Sequence, residues 1–136
     1  SKTDHLIVAE VKTRSSISGN KNSLCKTTVK DAIEHSVKDR VRIGESLNAE
    51  KRRLRDKQRF EEAKIVERFQ NKIDNPYILD FFAVAVLESK VYSEDIVIEE
   101  VKKYIPKNNI PINMLVIHSK ELNSLIKELY RRACIC

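Results

Sequence analysis

Glycine and proline are scarce in this chain. Two glycines and three prolines among 136 residues exclude a collagenous, loop-rich or low-complexity protein. No glycine-rich run of the G-x-x-x-x-G-K-[S/T] kind occurs, which excludes a P-loop that hydrolyses nucleotides. No apolar stretch approaches the roughly 20 residues that span a bilayer, and no secretory signal pattern is present. Membrane insertion is not expected, and any N-terminal targeting signal would lie ahead of Ser1. The three cysteines, Cys25, Cys134 and Cys136, do not form the framework of a small disulfide scaffold, so a reducing, cytoplasmic setting is expected. Cys134-x-Cys136 has no His or Cys partners at zinc spacing and reads as two thiols on a tail. No Ser/His/Asp arrangement for nucleophilic catalysis suggests itself.

What the chain does have is charge. Charged residues make up 34% and hydrophobic residues 41%, with a net charge of +6 and a pI near 9.3. This is the balance of a soluble domain with a highly charged surface, and the positive excess suits a polyanionic partner. The length is that of one domain, residues 1–136, and can bury a core without staples. The chain begins at Ser1 and enters a strand almost at once. It therefore reads as a piece of a longer protein, with N-terminal elements of the fold lost.

Residues 5–12 carry Leu6, Ile7, Val8, Ala9 and Val11 on both strand faces, which predicts a central strand covered on both sides. Residues 14–23 form a polar loop with Gly19-Asn20 as its turn signal. From Thr27 or Thr28, each a plausible N-cap, Val29, Ile33, Val37 and Val41 recur every fourth residue and predict an amphipathic helix. Gly44 is placed to kink or end it. Residues 45–64 are dominated by Glu, Lys, Arg, Leu, Ala and Gln and predict a solvated helical arm. Ile65, Val66, Phe69 and Ile73 are expected to return the chain to the core. Asn75-Pro76 ends that helix. Residues 77–88 predict a second central strand. Ser93 is expected to cap a helix running to about Tyr104. A loop containing Pro106 and Pro111 follows, then a buried strand over 112–118, and a last helix capped by Ser119. Strands alternating with helices imply an α/β layered fold.

The chemistry concentrates in "DHLIVAEVKTR", residues 4–14. Alternation puts Glu10 and Lys12 on one strand face, after Leu6 and Val8. A carboxylate at the end of a buried strand costs several kcal/mol, roughly, unless it is compensated. A divalent cation compensates it well, and hard oxygen donors favour Mg²⁺ or Mn²⁺. The ammonium of Lys12 can position a water or offset charge building in a transition state. This combination suits phosphodiester hydrolysis.

Those residues resemble the E-x-K half of the motif of the PD-(D/E)xK nuclease superfamily. The run Glu10-Val11-Lys12-Thr13-Arg14 is similar to the corresponding strand of Holliday-junction-resolvase-like members. The layout beyond it, a long charged helical region followed by "FFAVAV" and "MLVIH", looks like the nuclease subunit of Hachiman-type antiphage systems. The resemblance implies a restriction-endonuclease-like mixed sheet flanked by helices, and a Mg²⁺- or Mn²⁺-dependent nuclease acting on DNA in restriction or antiphage defence. Glu10 is then a metal ligand and Lys12 the catalytic ammonium. The superfamily also needs an upstream acid. Asp4 is the candidate within the chain, although six residues of straight strand span about 20 Å. The alternative is an acid lying before Ser1.

Arg14, Lys21, Lys26 and Lys30 follow the motif and are candidate phosphate contacts, or a solvated face. His118 ends a strand and reads as locally bonded. His5 and His35 have no nameable partner, and Glu88-x-Lys90 repeats the motif spacing as a decoy. A rival reading makes the chain a catalytically inactive nuclease-fold domain that binds nucleic acid or scaffolds a complex. A third makes the charged helix 45–64 an arm for a protein partner.

Overall fold

The computed structural model describes residues 4–104 and 111–134. Three strands and five helices follow one another as β1 (Asp4–Arg14), α1 (Lys21–Val41), α2 (Ile43–Asp56), α3 (Phe60–Gln70), β2 (Tyr77–Glu88), α4 (Glu94–Tyr104), β3 (Asn113–Ser119) and α5 (Leu122–Ala133). The strands form one sheet in the order β1-β2-β3, and both pairings are parallel. The sheet expected to be mixed is thus parallel throughout the described residues.

β1 pairs with β2 in unbroken register from Asp4↔Tyr77 to Arg14↔Leu87. Its even-numbered side chains are partly covered and its odd-numbered ones exposed. Ile7 is 61% exposed on the open face, with Val11, Ile78, Leu115 and Ile117 also exposed. The strand predicted to be central is therefore the sheet edge among the described residues, covered on one face. An apolar run records that its residues suit a sheet, but not which neighbours lie on either side. β2 is the central strand, as expected, and β3 is half-open rather than buried.

The core lies between the covered face and α1. Cys25, Val29, Ala32 and Ile33 of α1 pack on Ala83, Ala85 and Leu87 of β2, with Val91 beyond. Alanines on both sides let helix and sheet approach closely. α4 completes this layer through Ile96, Val97 and Val101. The α1 stripe differs from the predicted one at its end: Ser36 is buried and Val41 exposed. A four-residue repeat overshoots the 3.6-residue turn and drifts off the buried face.

Several boundaries move. α1 starts at Lys21, not at Thr27, because the Asn20 side chain accepts the Ser23 N–H at 2.9 Å. Gly19, at φ 99°, supplies the turn before it. Thr28 instead lies inside the helix and donates to the Leu24 carbonyl at 2.8 Å. The helix breaks at Arg42, two residues before Gly44. Glu94 opens α4 directly after Ser93, whose carbonyl accepts from the Val97 N–H. α5 begins after Glu121, not at Ser119. The N–H of Leu122 is satisfied instead by the buried Glu88 carboxylate at 3.2 Å. Of the predicted loop, residues 105–110 lie outside the described residues, as does Cys136 of the terminal thiol pair.

The charged region is a helical hairpin rather than a single helix. α2 and α3 turn back on each other at Lys57–Arg59, burying Leu54 and Ala63 between them. Lys51, Arg53, Arg55 and Arg59 pair with Glu67, Glu50, Glu67 and Glu62 along its flanks. Phe69 packs edge-on against Tyr77 at 5.1 Å. Ile65 and Ile73, however, do not rejoin the core: Ile73 is 93% exposed.

The hairpin turn carries a measurable strain. The Arg59 N–H reaches the Leu54 carbonyl at 2.8 Å and the Gln58 N–H reaches Arg55 at 2.9 Å. This is the paired-bond C-cap that favours glycine at the left-handed position. Gln58 occupies it at φ 58°. Gln58→Gly is expected to stabilise the protein by about 1 kcal/mol, through relief of the Cβ clash. A rise in the urea midpoint with unchanged slope checks it.

On the far side of α1, the Tyr104 hydroxyl donates to Glu34 at 2.6 Å. Burial and this bond push the phenol up to about 12. A folded-state pKa above the unfolded value of about 10 contributes stability that is complete below pH 10 and lost as pH rises toward 12. Tyr104→Phe is expected to flatten the fall in urea midpoint across that window. An identical slope in the two proteins counts against this bond.

Candidate active site

Glu10 and Lys12 stand on the covered face of β1, where β2 offers only Ala83 and Ala85 as register neighbours. The small methyl groups leave space above the sheet, and the two charged side chains fold toward each other in it. Lys12 Nζ lies 2.6 Å from Glu10 Oε1, with side-chain exposures of 30% and 23%. The pair is at an edge strand but is not directed into bulk water.

α1 closes the other side. His35 and Asp39, one helical turn apart, face the strand together. His35 Nδ1 is 3.6 Å from Glu10 Oε1. The Asp39 and Glu10 carboxyl groups stand close enough to shift each other's proton affinity. Burial and then the Glu10 charge raise Asp39 above the ordinary aspartate value. Burial pushes Glu10 upward too. The Lys12 hydrogen bond and charge, the Asp39 carboxyl and His35 outweigh it, so Glu10 is lowered. The cationic neighbours thus favour the ionised form of Glu10, while Asp39 bears the repulsion. Two carboxyl oxygens, an ammonium and an imidazole meet at one partly dry spot.

A search against family models decides what kind of protein carries this cluster. The HamA family model matches residues 1–133. The chain belongs to the HamA family. HamA proteins are components of Hachiman-type antiphage systems, which gives this one a role in antiphage defence. No curated protein and no solved structure matches the chain.

In this HamA chain the other expected residues are spread more widely. Asp4 shares the face of Glu10 but sits at the start of β1, ion-paired with Arg68 of α3. Because the register with β2 has no bulge, six residues still separate it from Glu10 by about 20 Å. The structure does not bring the two acids together. Arg14 Nε donates to Thr28 Oγ1 at 3.3 Å, and Lys21 opens α1 and is exposed to solvent. Lys26 and Lys30 lie along α1 toward α4, near Glu100 at 3.9 Å and Glu34 at 3.8 Å. With Lys103 and Tyr104 they line a groove on that side. His5 pairs with Asp80 at 3.2 Å, and His118 bonds Ser89 at 2.9 Å and stacks on Tyr92. Glu88 is the buried acceptor for α5 described above, not a second motif acid.

Sequence reasoning missed Asp39 and gave His35 no partner. The available signal was their i, i+4 spacing on the helix that follows the motif strand. Which face of that helix meets Glu10 depends on how α1 lies across the sheet.

Proposed function

We propose that this HamA chain carries a metal-dependent nuclease centre of the PD-(D/E)xK kind, hydrolysing DNA phosphodiester bonds in antiphage defence. The observation that carries the reading is the Glu10–Lys12 contact at 2.6 Å on the covered face of β1. A parallel sheet with α1 across it is compatible with a restriction-endonuclease-like core. Among the described residues no group of three or more His, Cys, Asp or Glu is arranged to hold a metal. A magnesium site does not require one, since Mg²⁺ is commonly held by one or two carboxylates together with water and phosphate oxygens. The donor chemistry around Glu10 fits that pattern: an ionised carboxylate, partly withdrawn from water, beside a second carboxyl group.

When bound, Mg²⁺ or Mn²⁺ supplies Lewis acidity toward a phosphate oxygen. Glu10 holds the ion. Lys12 keeps Glu10 ionised before substrate arrives, and its N–H groups orient a water or offset the charge that builds on the phosphate. Arg14, Lys21, Lys26 and Lys30 are proposed to contact the DNA backbone, in keeping with a net charge of +6. The hairpin of α2 and α3 is proposed to engage a protein partner, and a cytoplasmic location follows from the role.

The test is cleavage of DNA by the purified protein with Mg²⁺, with Mn²⁺ and with EDTA. Metal-dependent cleavage that EDTA stops is expected. A second reading, an inactive nuclease-fold domain that binds nucleic acid or scaffolds a complex, is favoured by one observation: Arg68, not a metal site, occupies Asp4. DNA binding without cleavage under any divalent metal would establish it.

A further inference from the structure

We infer that the ring pair of His118 and Tyr92 is a stacking platform for an unpaired base of a DNA strand. The pair lies outside the Glu10–Lys12 site and serves a nuclease or a binding domain equally. It stands at the carboxyl end of the sheet, where open α/β sheets take their ligands. After β2 the chain turns sharply, with the Glu88 carbonyl accepting from the Val91 and Tyr92 N–H groups. The Ser89 N–H reaches the Ser119 carbonyl at 2.9 Å and ties this turn to the end of β3. Tyr92 packs against the core. His118 stacks on it, with ring centroids 4.2 Å apart and planes at 11°. Ser89 Oγ lies 2.9 Å from His118 Nδ1.

The imidazole is thus held in plane and in rotation, yet His118 is exposed. Tyr92 covers one ring face and Ser89 takes one nitrogen, so the exposure falls on the other face and the Nε2 edge. Satisfying these polar groups does not require the bond, since water would serve at the surface. What results is a flat ring whose ordering cost is met on folding, before any ligand arrives. Every base has a π-face, so such a ring takes an unpaired base of any kind. A base inside a duplex has its faces covered by its neighbours and must leave the stack first. Cations for the phosphates stand close by. Lys90 and Lys120, both exposed, directly follow Ser89 and Ser119. Leu87 of β2 aligns with Arg14 on one side and His118 on the other, on the face that carries Glu10 and Lys12. Two strand spacings set the backbones of Arg14 and His118 about 10 Å apart, which is about three nucleotides of a stacked strand.

A strand-end histidine bonded only for local structure would show the same contacts. The experiment therefore asks whether bases, and not the sugar-phosphate backbone, feel His118. Binding is measured in EDTA, so that no metal-dependent cutting intervenes. A fluorescein-labelled oligodeoxythymidylate, and an abasic strand and a duplex of the same length, are titrated with the purified wild type, His118→Ala and His118→Phe. Thermal midpoints are taken on the same preparations. The wild type should bind the thymidylate more tightly than the abasic strand. His118→Ala should weaken thymidylate binding by at least about fivefold, the lower end of what one base–aromatic stack contributes, and leave abasic and duplex binding unchanged. His118→Phe keeps a flat face without the Ser89 bond and should bind the thymidylate within about twofold of wild type. Unchanged thymidylate binding by His118→Ala would overturn the inference. So would an equal loss on the abasic strand, with or without a lowered midpoint, because it would make His118 a backbone contact or a structural residue. A His118→Phe protein that behaves like His118→Ala, or a wild type with no preference for the thymidylate over the abasic strand, would also overturn it. Cleavage of duplex DNA by the wild type once Mg²⁺ is restored would leave the nuclease reading standing in each of these cases.

Discussion

Glu10→Ala is expected to reduce metal-dependent DNA cleavage by at least about a hundredfold, the scale on which loss of one preorganised electrostatic group acts. Glu10 is the carboxylate that meets Lys12, His35 and Asp39 at once. Lys12→Ala is expected to cost a similar factor, since it removes the ammonium 2.6 Å from Glu10. That variant also withdraws the interaction that keeps Glu10 ionised, so its thermal midpoint must be measured beside its rate. DNA affinity should change by less than about tenfold in either variant, because it is spread over many phosphate contacts and Lys12 supplies one. Unchanged cleavage by Glu10→Ala would end the assignment of this site.

Phe81→Ala should produce the largest loss of stability. Phe81 is 1% exposed, stands beside Val8 in the register, and carries the Arg40 guanidinium at 4.8 Å over its ring. Truncation removes the transfer energy of the ring, leaves a cavity and strips a partly buried cation of its partner. Together these cost about 3–5 kcal/mol. Ile73→Ala is the matched control: its side chain is 93% exposed, so a change within about 0.5 kcal/mol is expected. Urea titrations of the two variants compare them directly. Equal midpoints would show that the β1–β2 face near the site is not packed as described.

The motif strand was legible because its signal is local. Alternation alone places Glu10 and Lys12 on one face, and the structure keeps them there at 2.6 Å. β2 was legible for the same reason: its run from Tyr77 to Glu88 is bounded by Asn75-Pro76 and is dense in β-formers. The helical character of residues 45–64 followed from composition. Their fold into a hairpin did not, because the reversal rests on a polar residue, Gln58, in a conformation that composition assigns to glycine.

Sequence by itself thus determined the order of the three strands, the helical character of the segments between them, the charge of the surface and the chemical character of Glu10-x-Lys12. Each is set by neighbours a few residues apart. Tertiary structure decided the rest. β1 proved an edge strand, since strand neighbours are chosen by long-range pairing and leave no mark in a single apolar run. Asp4 went to Arg68 and Asp39 came to Glu10, across 64 and 29 positions of sequence. Contacts of that span depend on the direction in which α1 crosses the sheet, which is set by packing Cys25, Val29, Ala32 and Ile33 onto Ala83, Ala85 and Leu87.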